Sequence, residues 1–123
     1  MALLPRAFVA MAHVADVSRS IAFYEKLGFA VGNTFVPPGA SGPSWAWLQW
    51  GQAKLMITQA DQPVVAEQQA VLFYLYYDDV PEAKASLSRL GIETGPINHP
   101  FYAPGGEFRV VDPDGYCLMV SHT

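Results

Sequence analysis

The stretch His13-Val14-Ala15-Asp16-Val17-Ser18-Arg19-Ser20-Ile21-Ala22-Phe23-Tyr24, running on to Leu27-Gly28-Phe29, decides the fold, because its outline occurs twice. Asp16-Val17 returns as Asp79-Val80, and Leu27-Gly28-Phe29 returns as Leu90-Gly91-Ile92, both 63 residues further on. Two matches at one offset, each in the same local setting, indicate a duplicated unit rather than coincidence.

Each copy opens on an apolar, aromatic and β-branched run, Phe8 to Val14 and Val71 to Tyr77, with the composition of a strand. Asp16 or Ser18 can cap a first helix, and Asp79 a second that carries Pro81 in its first turn. Ile21, Tyr24 and Leu27 give the first helix an apolar stripe, and Ala83, Leu87 and Leu90 the second. Gly28 and Gly91 fall where a helix stops on a left-handed residue. Strand pairs follow. Ser44 to Trp50 and Ala53 to Thr58 flank Gly51-Gln52, while Glu107 to Val111 and Tyr116 to Ser121 flank Asp112-Pro113-Asp114-Gly115. These turns align at the same offset, Gly51 against Asp114. The expected organisation is one α+β domain over residues 1–123, built as βαβββ twice: module one over 1–60, a linker over 61–69 containing Pro63, and module two over 70–123.

A chain of 123 residues suits one domain, and 51% hydrophobic and 13% aromatic residues exceed what its core alone needs. The surplus points to a ligand cavity or a subunit interface. With a net charge of −4 and no basic cluster, a nucleic-acid partner is excluded. Cys117 is the only cysteine, which rules out an intrachain disulfide and a multi-cysteine zinc site, and it reads as a small buried strand residue. The apolar run Ala7 to Ala12 is short for a secretory signal, and no run of about 18 apolar residues occurs, so no membrane span and a cytoplasmic location are expected. No phosphate-cradling glycine motif and no nucleophile elbow appear. Asp78-Asp79 reads as helix capping rather than a catalytic carboxylate pair.

Paired βαβββ modules resemble the vicinal oxygen chelate superfamily, which contains glyoxalase I, extradiol dioxygenases, fosfomycin resistance enzymes and bleomycin resistance proteins. His13 to Tyr24 with Leu27-Gly28-Phe29 resembles its first strand and helix, Tyr76-Tyr77-Asp78-Asp79-Val80 the opening of its second module, and Asp112-Pro113-Asp114-Gly115-Tyr116 its final hairpin. The resemblance implies a curved mixed sheet around a cleft, usually completed by a second subunit, so a homodimer is expected. It implies no single activity, because the fold hosts lyases, oxygenases, transferases and binders.

Enzymes of this superfamily generally hold a divalent metal at four strand positions. The resemblance places these at Val9 and Leu72 in the opening strands and at Met56 and Met119 in the closing strands, where a Glu is usual in the last. Zinc requires imidazole, thiolate or carboxylate, and magnesium or manganese requires oxygen. Val, Leu and two Met supply none of these, and the neighbours Phe8, Ala10, Leu55, Ile57, Val71, Phe73, Leu118 and Val120 are apolar too. No metal and no cofactor are therefore expected. His13 shares a strand face with Val9 but lies about 13 Å along it, and reads as a cavity-lining, interface or structural histidine.

Strand parity nominates the ligand-binding residues. Met11 and His13 share the face of Val9, Tyr74 and Tyr76 that of Leu72, and Trp45 and Trp47 share one face with Gln49 beside them. The loop Asn98 to Glu107, which resembles the family segment closing over the ligand, adds His99, Phe101, Tyr102 and Glu107, the last a possible anion for a cationic ligand. The leading expectation is a metal-free, non-catalytic protein of the bleomycin-resistance type that captures a small aromatic or heterocyclic compound, with antibiotic resistance as the implied role. The alternatives are a glyoxalase-like lyase or dioxygenase with a non-standard site, and a metal-free enzyme using His99 or Glu107 as general base.

Overall fold

A computed structural model describes residues 3–122; Met1, Ala2 and Thr123, which the sequence reading puts at the outer ends of the two modules, lie outside them. The chain divides into two compact units, Met1–Pro63 and Val64–Thr123.

Unit one runs β1 (Met11–Val14), α1 (Val17–Lys26), β2 (Ala30–Phe35), β3 (Trp45–Trp50) and β4 (Ala53–Gln59), in the sheet order β1-β4-β3-β2. β1 lies parallel to β4 and the remaining pairs are antiparallel, so the sheet is mixed. The Asp16 carboxylate accepts from the Arg19 amide at 3.1 Å, so Asp16 rather than Ser18 is the cap. Gly28, at φ 105, ends the helix in a conformation a side chain would strain. Tyr24 is fully buried, edge-on to Phe23 at 5.2 Å and to Phe29 at 5.8 Å. Around it Ala12, Val14, Leu27, Ala46, Leu48, Leu55 and Ile57 form the core of this unit. Phe8, expected to open the first strand, is 95% exposed and precedes it.

Unit two runs β5 (Leu72–Tyr76), α2 (Val80–Arg89), β6 (Glu107–Val111) and β7 (Cys117–Ser121), after a single 3-10 turn at Ala66–Gln68. Its sheet order is β5-β7-β6, with β5 parallel and β6 antiparallel to β7. Asp79 caps α2 by accepting from the Glu82 amide at 3.0 Å, with Pro81 in the first turn, and Gly91 at φ 84 stops it. Leu87 is buried, whereas Leu90, placed in the same stripe by sequence, caps the C-terminus half exposed. The counterpart of β2 is reduced to an isolated bridge between Asn98 and Glu107 and the bond from the Gly95 amide to the Arg109 carbonyl. Pro96 interrupts the run, because it has no amide to donate to a ladder. Lys84 pins this segment down, its ammonium donating to Thr94 Oγ1 and the Gly95 carbonyl while lying 5.5 Å over the Phe108 ring.

The two units match as the duplication predicts, α+β throughout, except at the thinned counterpart of β2 and at the last hairpin. Met56 pairs with Trp47 and Met119 with Arg109, so the second hairpin is one residue longer than the first. The Asp112 carboxylate holds the longer turn by accepting from the amides of Asp114 and Tyr116, both at 2.9 Å.

Candidate functional site

Strand alternation divides each sheet into a face that packs under its helix and a face that does not. In unit one the helix face carries Ala12, Val14, Ala46, Leu48, Leu55 and Ile57, all buried. The opposite face is ordered by register into two rows, His13–Thr58–Trp45 and Met11–Met56–Trp47. His13 is exposed, and both tryptophans are half-buried. The Trp47 indole N–H donates to Gln49 Oε1 at 2.8 Å, which fixes the ring. Gly32, at a register shift in β2, makes room for it, since a Cβ there would lie 2.9 Å from Trp47 Cδ1.

In unit two the helix face carries Phe108, Val110, Leu118 and Val120, each about 1% exposed or less. The opposite rows are Tyr76–Ser121–Glu107 and Tyr74–Met119–Arg109. Tyr74 and Tyr76 stack at 6.2 Å and 25°, leaving 39% and 63% of their surfaces open. Such a pair offers a flat, exposed aromatic platform.

The loop before β6 folds back on this face. Its turns are closed by bonds from the Ala103 amide to the Pro100 carbonyl and from the Gly106 amide to the Ala103 carbonyl. His99 Nδ1 lies 3.2 Å from the Pro104 carbonyl, so that ring nitrogen is engaged by the loop itself. Phe101 stands almost fully exposed at the tip, edge-on to Tyr102 at 5.4 Å. Tyr102 reaches inward, its hydroxyl donating to Glu107 Oε2 at 2.9 Å, while Ser121 Oγ donates to Oε1 at 3.3 Å. Glu107 is thus a buried carboxylate with both oxygens satisfied, as a buried charge requires. The bond to Glu107 pushes the Tyr102 phenol up to about 12, with desolvation and the neighbouring Tyr74 adding to it.

The nine residues nominated from sequence are therefore distributed. Tyr74, Tyr76, Tyr102 and Glu107 gather on one face of unit two, with His99 and Phe101 in the adjoining loop; His13, Trp45 and Trp47 share one face of unit one. Arg109 was not among them, although its spacing of two from Glu107 on one strand puts it on the same face. Gly32 was not singled out either, because its significance depends on the register of β2 against β3.

The residues at the four metal positions do not fit a dication. Val9 precedes β1, Leu72 is 53% exposed on the platform face, and Met56 and Met119 bring only thioethers. Among the described residues no group of three or more His, Cys, Asp or Glu side chains converges.

A model of the Glyoxalase/Bleomycin resistance protein/Dioxygenase superfamily matches residues 8–120. No curated protein sequence matches the chain. Among solved structures, a bleomycin resistance determinant encoded on the transposon Tn5 is similar at a TM-score of 0.78 and 20% identity, over 97% of this chain and 98% of that one. The bleomycin-binding protein of Streptomyces verticillus, complexed with copper(II)-bleomycin, follows at 0.72 and 18%, over 100% and 99%. A glyoxalase family protein from Enterococcus faecalis stands at 0.74 and 23%, over 97% of each chain. At these identities the likeness is one of fold.

Proposed function

Since this chain belongs to the Glyoxalase/Bleomycin resistance protein/Dioxygenase superfamily, we propose that it is one of the binders of that fold: a protein that captures a small planar aromatic or heterocyclic compound without a metal. One observation carries the reading. The sheet faces opposite the helices present exposed or half-buried aromatic rings, Trp45 and Trp47 in one unit and Tyr74 and Tyr76 in the other, while the metal positions hold hydrocarbon and thioether. Rings left open on a sheet face favour stacking of a flat ligand, and aliphatic neighbours favour its desolvation.

A general base at Glu107 is less well supported, because both of its oxygens accept from protein hydroxyls. Capture alone would protect a cell from a toxic aromatic compound, and the bleomycin complexes of the structural relatives make bleomycin the first ligand to try. The reading also takes the protein to act as a homodimer. All six residues of β2 are exposed at a sheet edge, Val31 and Phe35 among them, and a second copy would cover that apolar edge. A monomeric mass by light scattering at micromolar concentration would remove this part.

The test is a fluorescence titration. Bleomycin and a panel of neutral planar aromatics are added to metal-stripped protein, and tryptophan and tyrosine emission is followed. Saturable quenching is expected with at least one of them, weakened by Trp47→Ala and by the double replacement Tyr74→Ala, Tyr76→Ala. A flat response to the whole panel overturns the proposal.

A further inference from the structure

Resting on the capture reading, we propose that Arg109 makes the platform face of unit two anion-selective, so that the captured compound is a planar aromatic bearing a carboxylate or similar anionic group. β5, β6 and β7 carry only two charged residues, Glu107 and Arg109, and both project from the face of Tyr74 and Tyr76.

Their environments are opposite. Glu107 is 6% exposed, and its two oxygens accept from Tyr102 and Ser121. The acid therefore offers a ligand no open oxygen, and what it presents toward solvent is the neutral phenol of Tyr102. Arg109 is exposed, and among the described residues its guanidinium has neither an ion pair nor a hydrogen bond. Five N–H donors in a fixed planar fork stay unspent, in the geometry that takes a carboxylate on two bonds at once.

Register gives the span. Arg109, Met119 and Tyr74 are successive partners across β6, β7 and β5, so two strand spacings, about 10 Å, separate Arg109 from Tyr74. Met119 lies half-buried between them, an apolar floor with no competing polar group. A ring system laid over Tyr74 and Tyr76 can extend across Met119 and end its acidic substituent at the guanidinium. The corresponding row of unit one, Met11–Met56–Trp47, has an indole in the place of Arg109, so that row carries no charge.

Three probes of one shape test this: 2-naphthoate, 2-naphthamide and 2-naphthylmethylammonium, titrated into wild type and Arg109→Gln by fluorescence and calorimetry. In wild type the carboxylate binds about tenfold to a hundredfold more tightly than the amide, as a charge-assisted pair requires, and the ammonium binds least. Arg109→Gln removes that preference and leaves the amide unchanged, while Arg109→Lys keeps part of it. If the amide binds but the carboxylate gains nothing, or Arg109→Gln retains the preference, the proposal is overturned and capture stands. If Arg109→Gln moves only the titration of Tyr102, Arg109 serves as a counter-charge to Glu107, which also overturns it. If none of the three probes binds, the proposal is overturned, and capture falls with it only if bleomycin and the neutral aromatics also leave the emission unchanged.

Discussion

Replacing Gly32 by alanine places a methyl group where side chains of β3 already lie. The new Cβ would stand 2.9 Å from Trp47 Cδ1 and 3.2 Å from Gln49 Nε2, against about 3.5–4.0 Å for carbon atoms at optimal separation. Trp47 cannot simply rotate away, because its N–H is held by Gln49 Oε1 at 2.8 Å. Either the indole moves and that bond is lost, or β2 shifts outward. Overpacking of this kind costs about 1–3 kcal/mol, partly offset by the roughly 0.4–1 kcal/mol that replacing glycine gains through the unfolded chain. A net loss of about 1–2 kcal/mol is therefore expected in urea denaturation. Trp47 emission should shift to the red and quenching by ligand should weaken, since the ring is displaced on a face proposed to bind. Unchanged stability together with unchanged emission would refute the packing argument, and with it the placement of Trp47 over Gly32.

Glu107→Gln removes the carboxylate that raises Tyr102, so the phenol should fall from about 12 toward the ordinary value near 10, read by ultraviolet absorbance against pH. The sign follows from the direction of the shift: a phenol raised on folding contributes stability that is complete below the unfolded value near 10 and lost as pH climbs through about 12. Wild type should therefore lose a stabilising contribution in that alkaline window, and Glu107→Gln should not. Asp79→Ala leaves the Glu82 amide without its acceptor and should cost about 1 kcal/mol by chemical denaturation, with a comparable loss for Asp16→Ala. Equal stability of either variant with wild type would contradict the capping assignment.

Much of the architecture was legible because the signals were local. Asp16 and Asp79 cap, Gly28 and Gly91 stop, and the period of two in β3 and β4 sorts core from open face without reference to distant residues. The discrepancies arise where pairing decides. The one-residue excess in the second hairpin shifts the partners of Trp45 and Trp47 to Glu107 and Arg109, which a single offset of 63 hides. Pro96 thins the expected second strand of the second module to a bridge. Of the site, the aromatic platform followed from parity. The burial of Glu107 did not, because it depends on Tyr102 returning from a loop and on Ser121 from a neighbouring strand. A carboxylate read from sequence as open to a cationic ligand is closed off by its own neighbours.

The central claim is capture without metal and without chemistry. The direct measurement is equilibrium dialysis of a bound aromatic ligand in chelator, followed by mass analysis of everything recovered. The account predicts saturable binding that chelator does not weaken, and recovery of the ligand unaltered. Binding that appears only when Ni²⁺, Zn²⁺, Fe²⁺ or Mn²⁺ is returned, or recovery of a converted product, would contradict it.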